Sequence, residues 1–354
     1  MIHLCIINPM AGLIKGRVGE IEDEIKNFFS ANPRMKYDIH ITRWKRDASG
    51  YVLRYANNVS ELLRVYVFGG TGTFFEVLNG LVGLPNVQVA WYPLGIDNTL
   101  LAVFGKDKLR TFQSLKNLCL SPVKTIDTIL AGNHNVITNV LIGIEANSYL
   151  KGRELSEQFR LPRKICNYLM DLIYFFLKPE INHYRIDADS VELDGNLLGI
   201  LITNIPNHVA GTPVEESGFN DGFMDLYIIK PIPKSKIISV VMDYERGRYA
   251  KWPEFFCHYR CKKLRVSSSS DMTISLDGEL FFDTEFTIEI RPSSLDFVYP
   301  PDIDESILSQ IPETAAVSGK TSDFRLEDFS PEDFQPEGSK TPAALNVFDT
   351  EVQL

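Results

Sequence analysis

Over the first 127 residues short apolar runs alternate with longer amphipathic stretches. Residues 4–7, 37–42, 64–68 and 87–92 are apolar and rich in β-branched or aromatic side chains, which predicts strands. The intervening stretches 17–31, 48–57 and 73–81 read as helices. Strands interleaved with helices of this length imply βαβ units and a mainly parallel sheet, with any ligand site beyond the carboxyl ends of the strands. After Asp127 the pattern changes to strand-like runs at 135–142, 183–193, 196–203, 224–229, 264–268, 272–276 and 287–290. A helix-rich insert at 163–177 and a helical stretch at 233–246 interrupt them. The expected fold class is therefore α/β plus β, an N-terminal Rossmann-like domain followed by an antiparallel β-rich one.

Composition narrows this picture. The chain has 354 residues with 44% hydrophobic and 11% aromatic content, enough for two cores. Its formal charge is −10, but residues 302–354 hold twelve acidic groups against Lys320, Arg325 and Lys340, so the acidity belongs to the tail. No basic surface is advertised, which argues against a nucleic-acid partner. The tail repeats Phe among acids (Ser322-Asp323-Phe324, Leu326-Glu327-Asp328-Phe329, Pro331-Glu332-Asp333-Phe334) and reads as disordered, with docking to a protein partner as the alternative. The apolar start stops at Asn8-Pro9, and 165–177 is too short to span a bilayer and carries Asn167 and Asp171. Five scattered cysteines argue for reduced thiols, and the expected location is cytoplasmic with peripheral membrane contact. Cys257-His258-Tyr259-Arg260-Cys261 lacks both the spacing and the second ligand pair of a zinc site.

Three strand ends carry the candidate chemistry. Asn8-Pro9-Met10-Ala11-Gly12 follows the first strand, Gly69-Gly70-Thr71-Gly72-Thr73 the third, and Tyr92-Pro93-Leu94-Gly95-Ile96-Asp97-Asn98-Thr99 the fourth. Glycines between a strand and a helix let the backbone approach phosphate closely and aim amides outward, although such turns also simply reverse chains. In this order the loops, with Asp221-Gly222-Phe223-Met224-Asp225-Leu226 and Leu276-Asp277-Gly278-Glu279, resemble the diacylglycerol kinase and sphingosine kinase catalytic family, and more distantly NAD kinases.

The resemblance runs from Ile2 to about Tyr299. It implies a nucleotide-binding domain over 1–128 with 291–300 returning to it, a β-sandwich-like domain over 129–290, and the tail from 301. It also implies ATP-dependent, Mg²⁺-assisted phosphorylation of a lipid alcohol such as diacylglycerol at a membrane surface. Asn8, Gly12, Gly69, Gly70, Gly72 and Thr73 would then line the phosphates, with Thr42 near the nucleotide and Lys15 or Arg17 offering charge. Glu279 would approach phosphate and metal or act as base, Glu76 and Asn79 would hold the loop, and Asp221 and Asp225 would bind a structural Mg²⁺. As a plain structural element, Glu279 is a residue beside an Asp-Gly hairpin turn.

The family pattern breaks at two carboxylates. Thr71 stands where the family has Asp, and its Asn-Asp pair reads Asn98-Thr99, with Asp97 on the other side of the asparagine. A threonine hydroxyl is neither a base near neutral pH nor a good hard-cation ligand. Catalysis would rest on Glu279 and Asp97, and a pseudokinase that binds nucleotide or lipid as a regulator is the competing expectation. A homodimer is left open.

Overall fold

The computed structural model describes residues 1–300 apart from 13–15, 96–98, 105–107, 175–178, 190, 206–217 and 247. The first half runs β1 (Ile2–Ile7), α1 (Val18–Ser30), β2 (Lys36–Ile41), α2 (Asp47–Asn57), β3 (Leu63–Gly69), α3 (Thr71–Leu81) and β4 (Val87–Pro93). Three short helices, α4 (Thr99–Phe104), α5 (Leu109–Phe112) and α6 (Leu115–Leu120), lead to β5 (Val123–Ala131), β6 (His134–Val136) and β7 (Asn139–Gly143). Then come α7 (Ile144–Phe159), α8 (Arg163–Leu172), β8 (Asn182–Ala188), β9 (Val191–Leu197), β10 (Gly199–Thr203) and β11 (Met224–Ile229). The chain continues with α9 (Ile237–Glu245), β12 (Phe256–Cys261), β13 (Lys263–Leu276) and β14 (Glu279–Val298).

Strands β2, β1, β3 and β4 pair in parallel in that order. Every residue of β3 is buried, as expected of a strand covered on both faces, and this is why its sequence is a continuous apolar run. Helix α1 turns Ile25 and Phe29, four residues apart, into the core. Helices α2 and α3 touch at Gly80, where a Cβ would meet Ser49 O and Val52 Cγ2 at 2.6 Å, so only glycine permits this approach. Beneath α1, His3 is 2% exposed and its Nδ1 shares a hydrogen bond with Tyr66 Oη at 2.8 Å. Burial, with Arg64 and the amino terminus nearby, lowers its pKa to about 4.

The 20-residue strand β14 joins the two halves into one hydrogen-bonded sheet. It runs antiparallel to β13 and β5, and its last residues, Asp296–Val298, lie parallel to Gln88–Ala90 of β4. Beyond β13 the order continues through β7, β10 and β11 to β12, all antiparallel, around a second apolar core.

Some elements differ from the sequence expectation. The run 183–193 is the hairpin β8–β9, with Asp189 at φ 43° in its turn. Runs 264–268 and 272–276 form one strand, β13, with a register irregularity between Ser267 and Met272. Helix α7 was not anticipated because the residues it buries (Ile144, Ala146, Ser148 and Gly152) are mostly small and give no strong apolar stripe. Among the described helices none is long and apolar enough to cross a membrane. The acidic tail lies outside the described residues.

Candidate phosphate-binding cleft

The loops at the carboxyl ends of β1, β2, β3 and β4 converge on a cleft of about 630 Å³ lined by Asn8, Gly12, Thr42, Gly70, Gly72, Thr73 and Gly95, among others. That volume suits a small-molecule ligand. Asn8 ties the first and third loops together: its Nδ2 donates to Thr73 Oγ1 at 2.8 Å, while its Oδ1 accepts from Met10 N at 2.9 Å. A Cβ on Gly70 would lie 3.1 Å from Gly95 Cα, so the third and fourth loops touch backbone to backbone. Gly70 caps α3 in an extended conformation with no side-chain cap. The first-turn amides of a helix have no intrahelical acceptor, and at a helix end they favour an anion.

Of the residues expected to line the phosphates, Asn8, Gly12, Thr42, Gly70, Gly72 and Thr73 line this cleft. Gly69 plays a different part. Its carbonyl accepts from Leu94 N at 2.9 Å and Trp91 Nε1 at 3.1 Å, and a Cβ there would meet the Thr73 side chain at 2.6 Å. It is not among the lining residues, and its carbonyl ties the turn to β4 and the loop after it. Thr71 is the half-buried first residue of α3. Asp97 and Lys15 lie outside the described residues, and Arg17 is bound to Glu20 on its own helix.

Glu279 enters from the other half of the molecule. The β13–β14 turn has Asp277 at φ 47° and Gly278 at φ 87°, and the buried Asp277 carboxylate accepts from Ile137 N at 2.8 Å, Thr138 N at 2.9 Å and Asn139 N at 3.1 Å. That anchor carries Glu279 into the cleft, where its Oε2 lies 2.8 Å from Lys45 Nζ. Asp-Gly is a hairpin turn here, and the turn places the Glu279 carboxylate at the cleft. Glu76 also lines the cleft and accepts from Arg46 N at 2.8 Å. Burial raises its pKa, opposed by that bond. Asn79 instead ties α3 to β6, exchanging hydrogen bonds with the Asn135 backbone at 2.9 and 2.7 Å.

Sequence reasoning missed Asp277, Lys45, Trp44 and Arg153, the last three of which line the cleft. Asp277 was legible as a turn residue but not as an anchor, and the other three sit in stretches without a motif.

The Asp221 and Asp225 pair expected to bind Mg²⁺ is engaged by protein donors. Asp221 Oδ2 is bound by Arg260 Nη2 and by Gly218 N at 3.1 Å, and Asp221 Oδ1 accepts from Phe223 N at 2.9 Å. Asp225 Oδ1 faces His258 Nε2 at 2.7 Å and Arg260 Nε at 3.8 Å. Antiparallel register places Arg260 opposite Asp225, and the Arg260 guanidinium lies 4.8 Å from the Phe223 ring centre. Burial lifts the Asp221 pKa to about 6 against these donors. A divalent cation would have to displace a guanidinium already seated, so the donor set among the described residues does not fit a metal. Asp127, fully buried, is likewise spent on Gly222 N at 2.8 Å and Ser293 N at 2.7 Å. Among the described residues no three His, Cys, Asp or Glu side chains gather as metal ligands.

A glycine-lined cleft thus lies at the ends of parallel strands and faces a carboxylate from the β-rich half. Residues 3–131 match the diacylglycerol kinase catalytic domain, and residues 138–299 match the YegS C-terminal NAD kinase beta sandwich-like domain. The chain belongs to the diacylglycerol kinase family of bacterial-type lipid kinases. It is 26% identical to a diacylglycerol kinase of Bacillus subtilis over 60% of this chain and 69% of the relative. A diacylglycerol kinase of Staphylococcus saprophyticus is also 26% identical, over 60% and 68%. A crystal structure of a diacylglycerol kinase from Bacillus anthracis superposes with a TM-score of 0.62 at 20% identity, covering 85% of this chain and 98% of that one, which shows the fold alone.

Proposed function

We propose that this protein transfers the γ-phosphoryl group of ATP to the hydroxyl of a diacylglycerol-like lipid alcohol. The observation that carries the reading is the cleft itself, in which the first turn of α3, at Gly70, Gly72 and Thr73, faces the Glu279 carboxylate. Backbone amides of that turn and the Asn8–Gly12 loop hold the phosphates, with Thr42 beside the nucleotide. Glu279 orients the acceptor hydroxyl and takes its proton as the oxygen bonds to the γ-phosphorus and the bond to the β-bridging oxygen breaks, releasing ADP. Mg²⁺ arriving on the nucleotide would add charge neutralisation, with Glu279 and Glu76 as the described carboxylates in reach. With Thr71 in place of a carboxylate the rate is reduced, general-base help alone being worth about 10²–10⁴.

The acceptor reaches the cleft from a membrane surface. Phe159, Leu161, Ile165, Tyr168 and Leu169, at the α7–α8 junction and along α8, are all exposed, which supports peripheral contact with lipid.

The test is phosphotransfer to diacylglycerol by Glu279→Gln beside wild type. A loss of about 10²–10⁴ in rate with ADP binding retained is expected. Unchanged turnover in the variant would remove Glu279 from the mechanism. ADP binding without turnover in wild type would leave the regulator reading in its place.

A further inference from the structure

Glu279 creates an electrostatic problem in the cleft. Its Oε1 lies 3.1 Å from the position a Cβ on Gly72 would take, over the first turn of α3. Nucleotide phosphates bound to that turn would share a corner with a carboxylate, and like charges this close repel strongly in a partly desolvated site. A cation between them would relieve that repulsion. The family position that would help hold a metal cation is Thr71, and the described residues gather no metal-ligand cluster.

The cleft does contain a cation at that corner. Lys45 Nζ is 2.8 Å from Glu279 Oε2, and both line the same cleft as Gly70, Gly72 and Thr73. Its backbone is held firmly: Arg46 N donates to Glu76 Oε1 at 2.8 Å, Arg43 N to Asp47 Oδ2 at 2.9 Å, and Asp47 Oδ2 also meets His40 Nε2 at 3.1 Å. The Lys45 side chain, 61% exposed, keeps the freedom of its four-carbon stem. Arg43 and Arg153 also line the cleft; Arg153 is paired with Glu157 on its own helix, and Lys45 is the cation bonded to Glu279.

We propose that Lys45 is a phosphate-binding residue: it pairs with Glu279 and, when nucleotide binds, bridges Glu279 and the nucleotide phosphates. Nucleotide affinity then depends on this lysine more than on a divalent ion. The inference rests on the nucleotide-site reading above and adds the residue that makes Glu279 compatible with phosphate.

Calorimetric titration of the full chain with ADP, in EDTA and in Mg²⁺, tests it on wild type, Lys45→Met and Lys45→Arg. Wild-type affinity in EDTA is expected within about threefold of that in Mg²⁺. A charge-assisted bond to phosphate predicts at least about a tenfold loss in Lys45→Met under both conditions, and less than about threefold in Lys45→Arg. Thermal unfolding of the variants, whose changed side chain is exposed, checks that the fold is kept. Lys45→Met binding as tightly as wild type, or wild-type binding that requires Mg²⁺, overturns the role of Lys45 and leaves the nucleotide site standing. Wild type failing to bind ADP in either condition overturns both.

Discussion

Arg260 occupies the place where the sequence suggests a metal, and removing it gives a sharp prediction. Its side chain is 15% exposed, against 3% for Asp221 and 1% for Asp225. Truncating one partner of a buried ion pair costs about 3–5 kcal/mol, because the remaining charge is left unpaired. Here Asp221 keeps its bonds from Gly218 N and Phe223 N, and Asp225 keeps His258. Arg260→Ala is therefore expected near the lower end, about 3 kcal/mol. At about 2–4 °C per kcal/mol for a large domain, that lowers the melting temperature by roughly 6–12 °C. The assay is thermal unfolding by circular dichroism with EDTA and with excess Mg²⁺. Wild type should melt at the same temperature in both, whereas Arg260→Ala, with two acids freed, should recover part of its loss in Mg²⁺. A wild-type melting temperature that falls in EDTA, or an Arg260→Ala shift under about 2 °C, refutes the assignment of Arg260 as the resident cation.

His3 makes stability depend on pH. Its folded pKa of about 4 lies below the ordinary 6.5, so the unfolded chain binds the extra proton between those values. Its contribution, on the order of 3 kcal/mol, is complete above pH 6.5 and is lost as pH falls toward 4. Urea unfolding should show His3→Gln flattening that slope, and identical slopes would remove His3 as the cause. Asp277→Ala leaves three buried backbone donors without their acceptor. It should destabilise by about 3 kcal/mol or more and weaken phosphotransfer further by loosening Glu279. A variant that keeps both stability and rate contradicts the anchoring role.

The first half of the fold was legible because parallel strands covered on both faces, such as β3, are written as unbroken apolar runs. The second half was harder. Strands β8 and β9 run together in sequence because Asp189 makes their turn without glycine or proline, and α7 buries small residues. The glycine loops of the cleft were also legible, since only a few residue types suit such turns. What escaped was whatever depends on long-range register. Lys45 and Glu279 are 234 positions apart. Asp221 and Asp225 read as metal ligands until the β11–β12 pairing sets Arg260 and His258, two residues apart on one strand, against them. Cys257-His258-Tyr259-Arg260-Cys261, dismissed as a zinc motif, turns out to carry the cation.

The central claim is that the altered cleft still transfers phosphate to a lipid. Labelled γ-phosphate from ATP, offered with diacylglycerol and other lipid alcohols in mixed micelles with Mg²⁺, tests it when wild type is compared with the double variant Thr71→Asp/Thr99→Asp. The account predicts slow but measurable labelling of lipid by wild type and faster labelling by the variant. Label in lipid from neither protein, or from the double variant alone, would contradict it.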